Sequence, residues 1–154
     1  MMEKIPPHNE EAEKSILGAS LLSKDALINI MDIVKPRDFY SEMHKEIFTA
    51  IRELYSRNEP VDTLTVSEEL KKRNSLEMVG GRAYIASLAS GVPSTANAGQ
   101  YAKIVAEKAV LRKLITASTD IIEEAYKETM DADMVLVNRE MAVMYVISNG
   151  KAIK

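Results

Sequence analysis

The stretch Ala98–Lys127 reads AGQYAKIVAEKAVLRKLITASTDIIEEAYK and contains no proline and a single glycine, Gly99, near its start. Because nothing in its interior interrupts helical hydrogen bonding, we predict one helix over the whole stretch. Such a helix is much longer than the mean of about 11 residues. Asp131-Ala132-Asp133 is predicted to break it.

Two apolar seams run along this predicted helix, the first at alternating steps of four and three residues. The first seam consists of Ile104, Lys108, Leu111, Ile115, Ser118, Ile122 and Ala125, and the second of Val110, Leu114, Ala117 and Ile121. Packing against one partner helix needs only the first seam. The second seam therefore favours an interface with another molecule. The alternative, that this surface folds back onto the core of the domain, stays open.

The last apolar segment, Met134–Ile147, is apolar on nearly every side. We predict a helix antiparallel to the long one, although the β-branched residues Val135, Val137, Val143, Val146 and Ile147 leave a strand as an alternative. The apolar residues predicted to mediate self-association are Leu111, Leu114, Ile115, Ile121, Ile122, Met134, Val137, Met141 and Met144.

The chain before the long helix shows shorter helical patterns with start and stop signals. We predict N-caps at Asn9 and Ser41, a second helix start at Ser23-Lys24-Asp25, a capping box at Thr65 and Glu68, and a C-cap at Gly91. The predicted fold is all-α. A compact helical globule spans residues 5–95, a long helical hairpin spans 96–149, and a linker begins at 150–154.

Composition excludes several classes of protein. The 154 residues contain no cysteine, which excludes disulfides and thiolate metal sites. The net charge of −3 disfavours nucleic-acid binding by this chain alone. No apolar run approaches the roughly 20 residues of a membrane span, and the N-terminus lacks the apolar segment of a signal peptide. We expect a cytoplasmic protein.

Residues that could carry chemistry are few. The P-loop pattern Gly-x-x-x-x-Gly-Lys-Ser/Thr does not occur, so no nucleotide cofactor is expected in this chain. His8 and His44 lie on different segments, and we expect no metal site because zinc needs three or four convergent ligands. His44 is interpreted as a packed or capping residue. We expect no catalytic residues.

Three charged or glycine-rich stretches have a structural and a functional interpretation. Acidic residues at Glu10, Glu11 and Glu13 are interpreted as complements of the helix dipole rather than catalytic carboxylates. Gly80-Gly81-Arg82 is interpreted as a turn rather than a phosphate-binding nest. Lys71-Lys72-Arg73 is interpreted as a charged helix end rather than a nucleic-acid contact.

Several motifs together carry a resemblance to a known family, in order and spacing from about residue 5 to 115. They are Ile5–Gly18, Asp38-Phe39-Tyr40, His44 with Ile47-Phe48, Pro60-Val61-Asp62 with Thr65-Val66, Gly80-Gly81 with Tyr84-Ile85 and Leu88, Val92–Asn97, and Tyr101-Ala102 with Lys108 and Leu111-Arg112. The chain resembles the N-terminal domain of bacterial replicative DNA helicases of the DnaB family. The motor domain of that family, with its P-loop, ATP and Mg²⁺, is absent from these 154 residues, as in an excised domain or a truncated protein.

The resemblance implies a non-catalytic collar domain in a hexameric helicase. It implies self-association from dimer to hexamer, docking of the helicase-binding domain of primase, a helicase loader as a further partner, and DNA contact only in the full-length hexamer. It implies no membrane. The bipolar charge of the long helix adds a hypothesis for the primase contact: Lys108, Arg112, Lys113, Glu123 and Glu124. The alternative function is a free-standing regulator without a motor that binds and caps the helicase ring.

Overall fold

The computed structural model describes residues 4–128, 133–134, 136–137, 139–141 and 143–144. Within residues 4–128 the chain forms six α-helices and one short 3-10 turn. They are α1 (Glu10–Leu22), α2 (Lys24–Ile33), the 3-10 turn (Pro36–Asp38), α3 (Glu42–Ser56), α4 (Thr63–Lys72), α5 (Gly81–Ser90) and α6 (Ala98–Lys127). None of the described residues forms a β-strand. The predicted all-α class is confirmed, and so is the single helix over Ala98–Lys127.

The helix boundaries follow the capping residues. The side chains of Asn9, Ser23 and Ser41 each accept a hydrogen bond from the backbone N–H three residues further on, at 2.9, 3.1 and 3.4 Å. Each thereby satisfies an N–H group that a helix leaves without a partner in its first turn. The N-caps predicted at Asn9 and Ser41 are confirmed, as are the helix start at Ser23-Lys24-Asp25 and the C-cap at Gly91.

The capping box predicted at Thr65 and Glu68 is wrong. Helix α4 begins at Thr63, and its N-cap is Asp62, whose carboxylate accepts the Thr65 N–H at 2.9 Å. The Thr65 hydroxyl in turn accepts the Asp62 N–H at 2.9 Å, which closes the box one turn earlier. An aspartate caps a helix at least as well as a threonine, and it comes first in the chain.

Helix α1 lies at the centre of the fold, packed against α2, α3, α5 and α6. Its side chains are therefore buried on most sides, and Ile16 and Leu17 are fully so. Gly18 faces α5 so closely that a Cβ at this position would collide with the Leu88 carbonyl oxygen and the Val92 side chain. The absence of a side chain at Gly18 thus sets the distance between α1 and α5.

The described core is contributed by all six helices and by Phe39 after the 3-10 turn. Phe39 and Phe48 pack with ring centroids 5.1 Å apart. The largest fully buried apolar side chains are Ile16, Leu17, Leu27, Ile30, Phe39, Ile47, Phe48, Ile51, Leu70 and Ile85. Helix α6 packs against this core through its N-terminal part.

Helix α6 has two parts with different environments. Ala98, Ala102, Val105, Ala106 and Ala109 are buried against the globule. The rest, residues 110–127, which we call the outer half of α6, contains no buried residue. The first half of α6, residues 98–109, thus belongs to the same core as α1 and α2. Helix α6 therefore continues without a break from the globule into its outer half, the arm. The domain bounds 5–95 and 96–149 stay predictions.

The last apolar segment is described only in part. Residues 133–134, 136–137, 139–141 and 143–144 are helical, so for them helix is the correct alternative and strand the wrong one. Helix α6 ends at Lys127, with Glu128 in a left-handed conformation at φ 53°. Of the predicted break, Asp131 and Ala132 lie outside the described residues, and Asp133 is already helical.

Candidate interaction surface

The residues predicted to mediate self-association remain uncovered within one chain. On α6, Leu111, Leu114, Ile115 and Ile122 are exposed, and Ile121 is half-buried. In the last segment, Met134, Val137, Met141 and Met144 are exposed as well. None of the nine contributes to the described core. The five on α6 lie on one side of the helix and form an apolar surface of the kind that marks an interface, and the role of all nine in self-association stays a prediction.

The charged residues predicted to contact primase have unlike surroundings. Glu123 is exposed, whereas Lys108 and Glu124 are half-buried. Arg112 and Lys113 are half-buried because both contact the globule. A charge reversal at Arg112 or Lys113 would therefore disturb the attachment of α6 as well as any docking partner. The five positions as a primase contact stay a prediction.

Arg112 joins three segments at the base of the outer half of α6. Nη1 donates to the Pro7 carbonyl at 2.7 Å, and Nη2 donates to the Asp38 carbonyl at 2.6 Å. The guanidinium carbon lies 5.5 Å from the centroid of the Tyr40 ring, within the range of a cation–π contact. The His8 ring stacks on the same Tyr40 ring, with the ring centroids 4.1 Å apart.

The Asp38 carboxylate contacts Lys35, next to the 3-10 turn, and Lys113 on α6. This carboxylate is buried and accepts the Lys35 backbone N–H at 2.8 Å, which stabilises the 3-10 turn. The Lys113 ammonium lies 3.8 Å from its other carboxylate oxygen. Lys113 therefore neutralises part of the buried charge of Asp38. A docking partner that bound Lys113 would compete with this ion pair.

A buried chain of polar groups links α1, α3 and α5. The Glu13 carboxylate lies 2.8 Å from His44 Nδ1, and His44 Nε2 lies 2.7 Å from the Tyr84 hydroxyl. The same carboxylate accepts the backbone N–H groups of Tyr40 and Ser41 at 2.8 and 3.3 Å. Because an ionised carboxylate only accepts, Nδ1 donates to Glu13, and a neutral imidazole then accepts the Tyr84 hydroxyl hydrogen at Nε2.

This arrangement corrects one interpretation and confirms another. Glu13 does not serve mainly as a dipole complement, because its side chain points into the core. His44 is packed, as expected. Burial on its own raises the pKa of Glu13, but the hydrogen bonds from His44 and from two backbone N–H groups outweigh it and lower that pKa. No local sequence signal pointed to this pair, because Glu13 and His44 lie 31 residues apart and meet only across the fold.

A carboxylate, an imidazole and a hydroxyl in a row also occur in acyl-transfer enzymes. Here the hydroxyl belongs to a tyrosine, and burial raises the pKa of Tyr84. A raised pKa disfavours the phenolate that a nucleophile would need. We therefore interpret Glu13, His44 and Tyr84 as a structural network that holds three helices together.

The glycine pair and the basic stretch also have structural partners. The N–H groups of Gly80 and Gly81 donate to the carbonyls of Glu77 and Leu76 at 3.1 and 2.8 Å, so neither is directed at a phosphate. The interpretation of Gly80-Gly81 as a turn is confirmed. Arg73 binds the Glu46 carboxylate through both Nε and Nη2, at 2.9 and 3.0 Å, at the end of α4.

The described residues contain no group of three His, Asp or Glu side chains placed to hold a metal ion. Across those same residues, no helix combines the length and the apolar character needed to cross a membrane.

Comparison with known proteins identifies a matching family and similar relatives. A family model described as DnaB-like helicase N terminal domain matches residues 5–107. The chain is 44% identical to a replicative DNA helicase DnaB of Leifsonia xyli subsp. xyli, over 99% of this chain and 33% of the relative. It is 42% identical to that of Geobacillus stearothermophilus, over 94% of this chain and 32% of the relative. The chain thus spans about a third of the length of these curated relatives.

Two solved structures share the fold. The N-terminal domain of DnaB helicase from Mycobacterium tuberculosis superimposes with a TM-score of 0.87 at 42% identity, covering 91% of this chain and 99% of that one. A structure described as a DnaB-like replicative helicase and its interactions with primase gives a TM-score of 0.73 at 24% identity, covering 91% of this chain and 31% of that one.

Proposed function

Because the chain belongs to the DnaB-like helicase N-terminal domain family, we propose that it acts as the collar domain of a hexameric replicative DNA helicase. In this role it assembles the ring with copies of itself and docks primase. Catalysis would reside in the motor domain of the assembled enzyme. The contribution of this chain would be geometric, and it would be made in the cytoplasm.

The observation that carries the proposal is the uncovered apolar surface of the outer half of α6. Leu114 and Ile122 are 41% and 55% exposed, although both are large aliphatic residues. Full burial of such a side chain from water is worth about 1.5–3 kcal/mol, so covering the part that is still exposed would contribute roughly half of that for each residue. Pairing with the same surface of a second copy removes this area from water without any further component, as in two-fold symmetric interfaces.

The test of assembly is the double variant Leu114→Asp, Ile122→Asp. Both positions lie outside the described core, so the variant should remain as helical as the wild type while losing oligomer mass in sedimentation velocity. The physical reason is the cost of burying unpaired carboxylates at the contact. The matched control is Leu64→Asp, which changes an exposed leucine of α4 that is 63% exposed. The control should keep the wild-type mass.

Two results would contradict the assembly proposal. One is a wild-type protein that is monomeric at the highest concentration reached. The other is a double variant that remains folded and sediments like the wild type.

Docking of primase is the second part of the proposal. It is supported by the family and by one solved relative, a DnaB-like replicative helicase described together with its interactions with primase. On this chain, the exposed carboxylate of Glu123 beside an apolar surface suits a reversible contact with a charged rim. A collar carrying several such arms would raise the effective concentration of primase at the replication fork.

The test uses Glu123→Lys rather than a change at Arg112 or Lys113, because those two residues also hold α6 to the globule. Titration calorimetry with the isolated helicase-binding domain of primase should show weaker binding for Glu123→Lys, with a larger difference at low salt than at high salt. Glu77→Lys, an exposed change of the same charge on the globule, should bind as the wild type does. Equal affinity of Glu123→Lys and wild type would place the contact elsewhere.

We expect this chain neither to hydrolyse ATP nor to bind a nucleotide or a metal, since these 154 residues carry no P-loop to cradle the phosphates. Purified protein with Mg²⁺-ATP and single-stranded DNA should release phosphate no faster than a buffer control. DNA-stimulated hydrolysis that co-purifies with this chain would overturn this part of the proposal.

A further inference from the structure

We propose that His8, Tyr40 and Arg112 form a clasp that fixes the direction in which the outer half of α6 leaves the globule. We call these three residues the exit clasp. The exit clasp acts within one chain, whether or not the chain assembles as proposed above.

The position of Arg112 is the first argument. Ala109 is the last buried residue of α6, and Arg112 follows it by less than one helical turn. The guanidinium therefore lies where the helix passes from the core into solvent. Its two terminal nitrogens hydrogen-bond to carbonyls of two different segments, those of Pro7 and Asp38.

The fork geometry is the second argument. A guanidinium presents its N–H groups in a rigid plane, so two bonds to two fixed carbonyls define the orientation of the helix that carries it. A lysine has one nitrogen on a flexible stem and cannot reach both carbonyls in the same fixed geometry. The charge of Arg112 alone would not have this effect.

The aromatic pair closes the clasp from the N-terminal side. The His8 ring stacks on Tyr40 with planes 17° apart, and His8 Nδ1 lies 2.8 Å from the Pro6 carbonyl. This arrangement holds the segment before α1 in place, and with it the Pro7 carbonyl that Arg112 uses. The segment before α1 thereby connects the base of the outer half of α6 to the globule.

The packing of the first half of α6 leaves this orientation to be set. Four of its five buried residues are alanines and the fifth is Val105, while the larger Tyr101 and Ile104 pack against the core only as partly buried residues. Such a face permits close approach, and at Gly99 an added Cβ would lie 2.7 Å from Asn29 Nδ2. Small side chains form low ridges, however, and helix crossing angles are set by how ridges fill grooves. The polar contacts at Arg112 supply a constraint that the alanines do not.

Small rotations at the clasp have large effects further out. At 1.5 Å per residue, Glu123 lies about 16 Å beyond Arg112, so a swing of about 20° displaces it by about 6 Å. A displacement of this size would misalign any surface that α6 presents to another molecule.

The test measures the distance between a spin label on the globule and one on the arm by pulsed electron paramagnetic resonance. The chain has no native cysteine, so Arg52→Cys on α3 and Glu123→Cys on α6, both exposed, take the labels without competition. Doubly labelled protein is diluted into an excess of unlabelled protein, so that only distances within one chain contribute. The same pair is measured in the wild-type background and with Arg112→Met, Arg112→Lys and His8→Ala.

We expect a distance distribution that is broader and shifted by several ångströms in Arg112→Met and in Arg112→Lys, and a smaller change in His8→Ala. The control is Arg57→Met, which removes an arginine that pairs with Glu59 and Glu69 away from α6, and it should keep the wild-type distribution. Circular dichroism verifies that each variant is folded. If Arg112→Met fails to fold, Arg112→Lys decides the question, because it retains the charge and most of the stem. A wild-type distribution in folded Arg112→Lys would overturn the proposal and show that core packing alone directs the arm.

Discussion

The Glu13 carboxylate lies 2.8 Å from His44 Nδ1, and this pair joins α1 to α3 inside the core, with 3% of the Glu13 side chain and 1% of the His44 side chain exposed. An ionised group so placed is stable only because both of its oxygens accept hydrogen bonds. His44 and the N–H groups of Tyr40 and Ser41 donate these bonds. In the described residues, no buried side-chain nitrogen or oxygen lacks a hydrogen-bond partner.

The pair predicts an acid-dependent loss of stability. The pKa of Glu13 in the folded protein lies below its ordinary value of about 4.3. Its stabilising effect is therefore complete above that value and is lost as the pH falls through the folded-state pKa. Glu13→Gln should lower the free energy of unfolding at pH 7 by about 1.5–3 kcal/mol, the range for hydrogen bonds to a charged group. It should also flatten the dependence of that free energy on pH below about 4.3.

Urea unfolding at pH 7 and at pH 3.5 checks this prediction. Glu11→Gln changes an exposed carboxylate in the same helical turn and should leave both values nearly unchanged. The same pH dependence in Glu13→Gln and wild type would contradict the assignment.

Tyr84→Phe tests the other end of the network. Removing the hydroxyl leaves His44 Nε2 buried without its partner at 2.7 Å. We expect a loss of about 1–3 kcal/mol in the free energy of unfolding, the cost of an unsatisfied buried polar atom. Tyr126→Phe makes the same chemical change at a side chain that is 84% exposed, and it should alter stability by less than about 0.5 kcal/mol. Equal effects of the two substitutions would remove Tyr84 from the network.

Gly18→Ala should destabilise the protein although alanine favours helices. The gain in helix propensity is about 1 kcal/mol. The added Cβ collides with the Leu88 carbonyl oxygen and the Val92 side chain, so α1 and α5 must separate. Since the obstacle includes backbone, we expect a net loss at the upper end of the roughly 1–3 kcal/mol typical of overpacking. Thermal unfolding measures it, with the exposed Glu11→Ala as the control in the same helix. A Gly18→Ala variant as stable as Glu11→Ala would show that α5 can shift freely.

Asp62→Ala removes the N-cap of α4 and should cost about 1 kcal/mol. Asp62→Asn preserves an acceptor at the same place and should be close to neutral. Urea unfolding of the two variants separates the cap from any other effect of Asp62. If both variants lose the same free energy, the cap is not the cause.

Signals between residues close in the sequence determined much of the secondary structure of this protein. The run Ala98–Lys127 has no breaker, and the structure ends the helix at Lys127. Asn9 and Ser41 cap the helices they were expected to cap, because a cap bonds to its own chain three residues away. The family could be identified from motifs in order, since these motifs are local too.

The tertiary structure decided which residues meet across the fold. Glu13 has the sequence context of a dipole complement, yet its partner is His44, 31 residues away. Arg112 has the context of an exposed charge on a bipolar helix, yet it bonds to Pro7, 105 residues away. Neither pairing leaves a periodic or adjacent signal, because it depends on how α1, α3 and α6 pack. The sequence around a residue determines whether it lies in a helix and on which face of that helix. The side chain that it contacts depends on which other segment packs against that face.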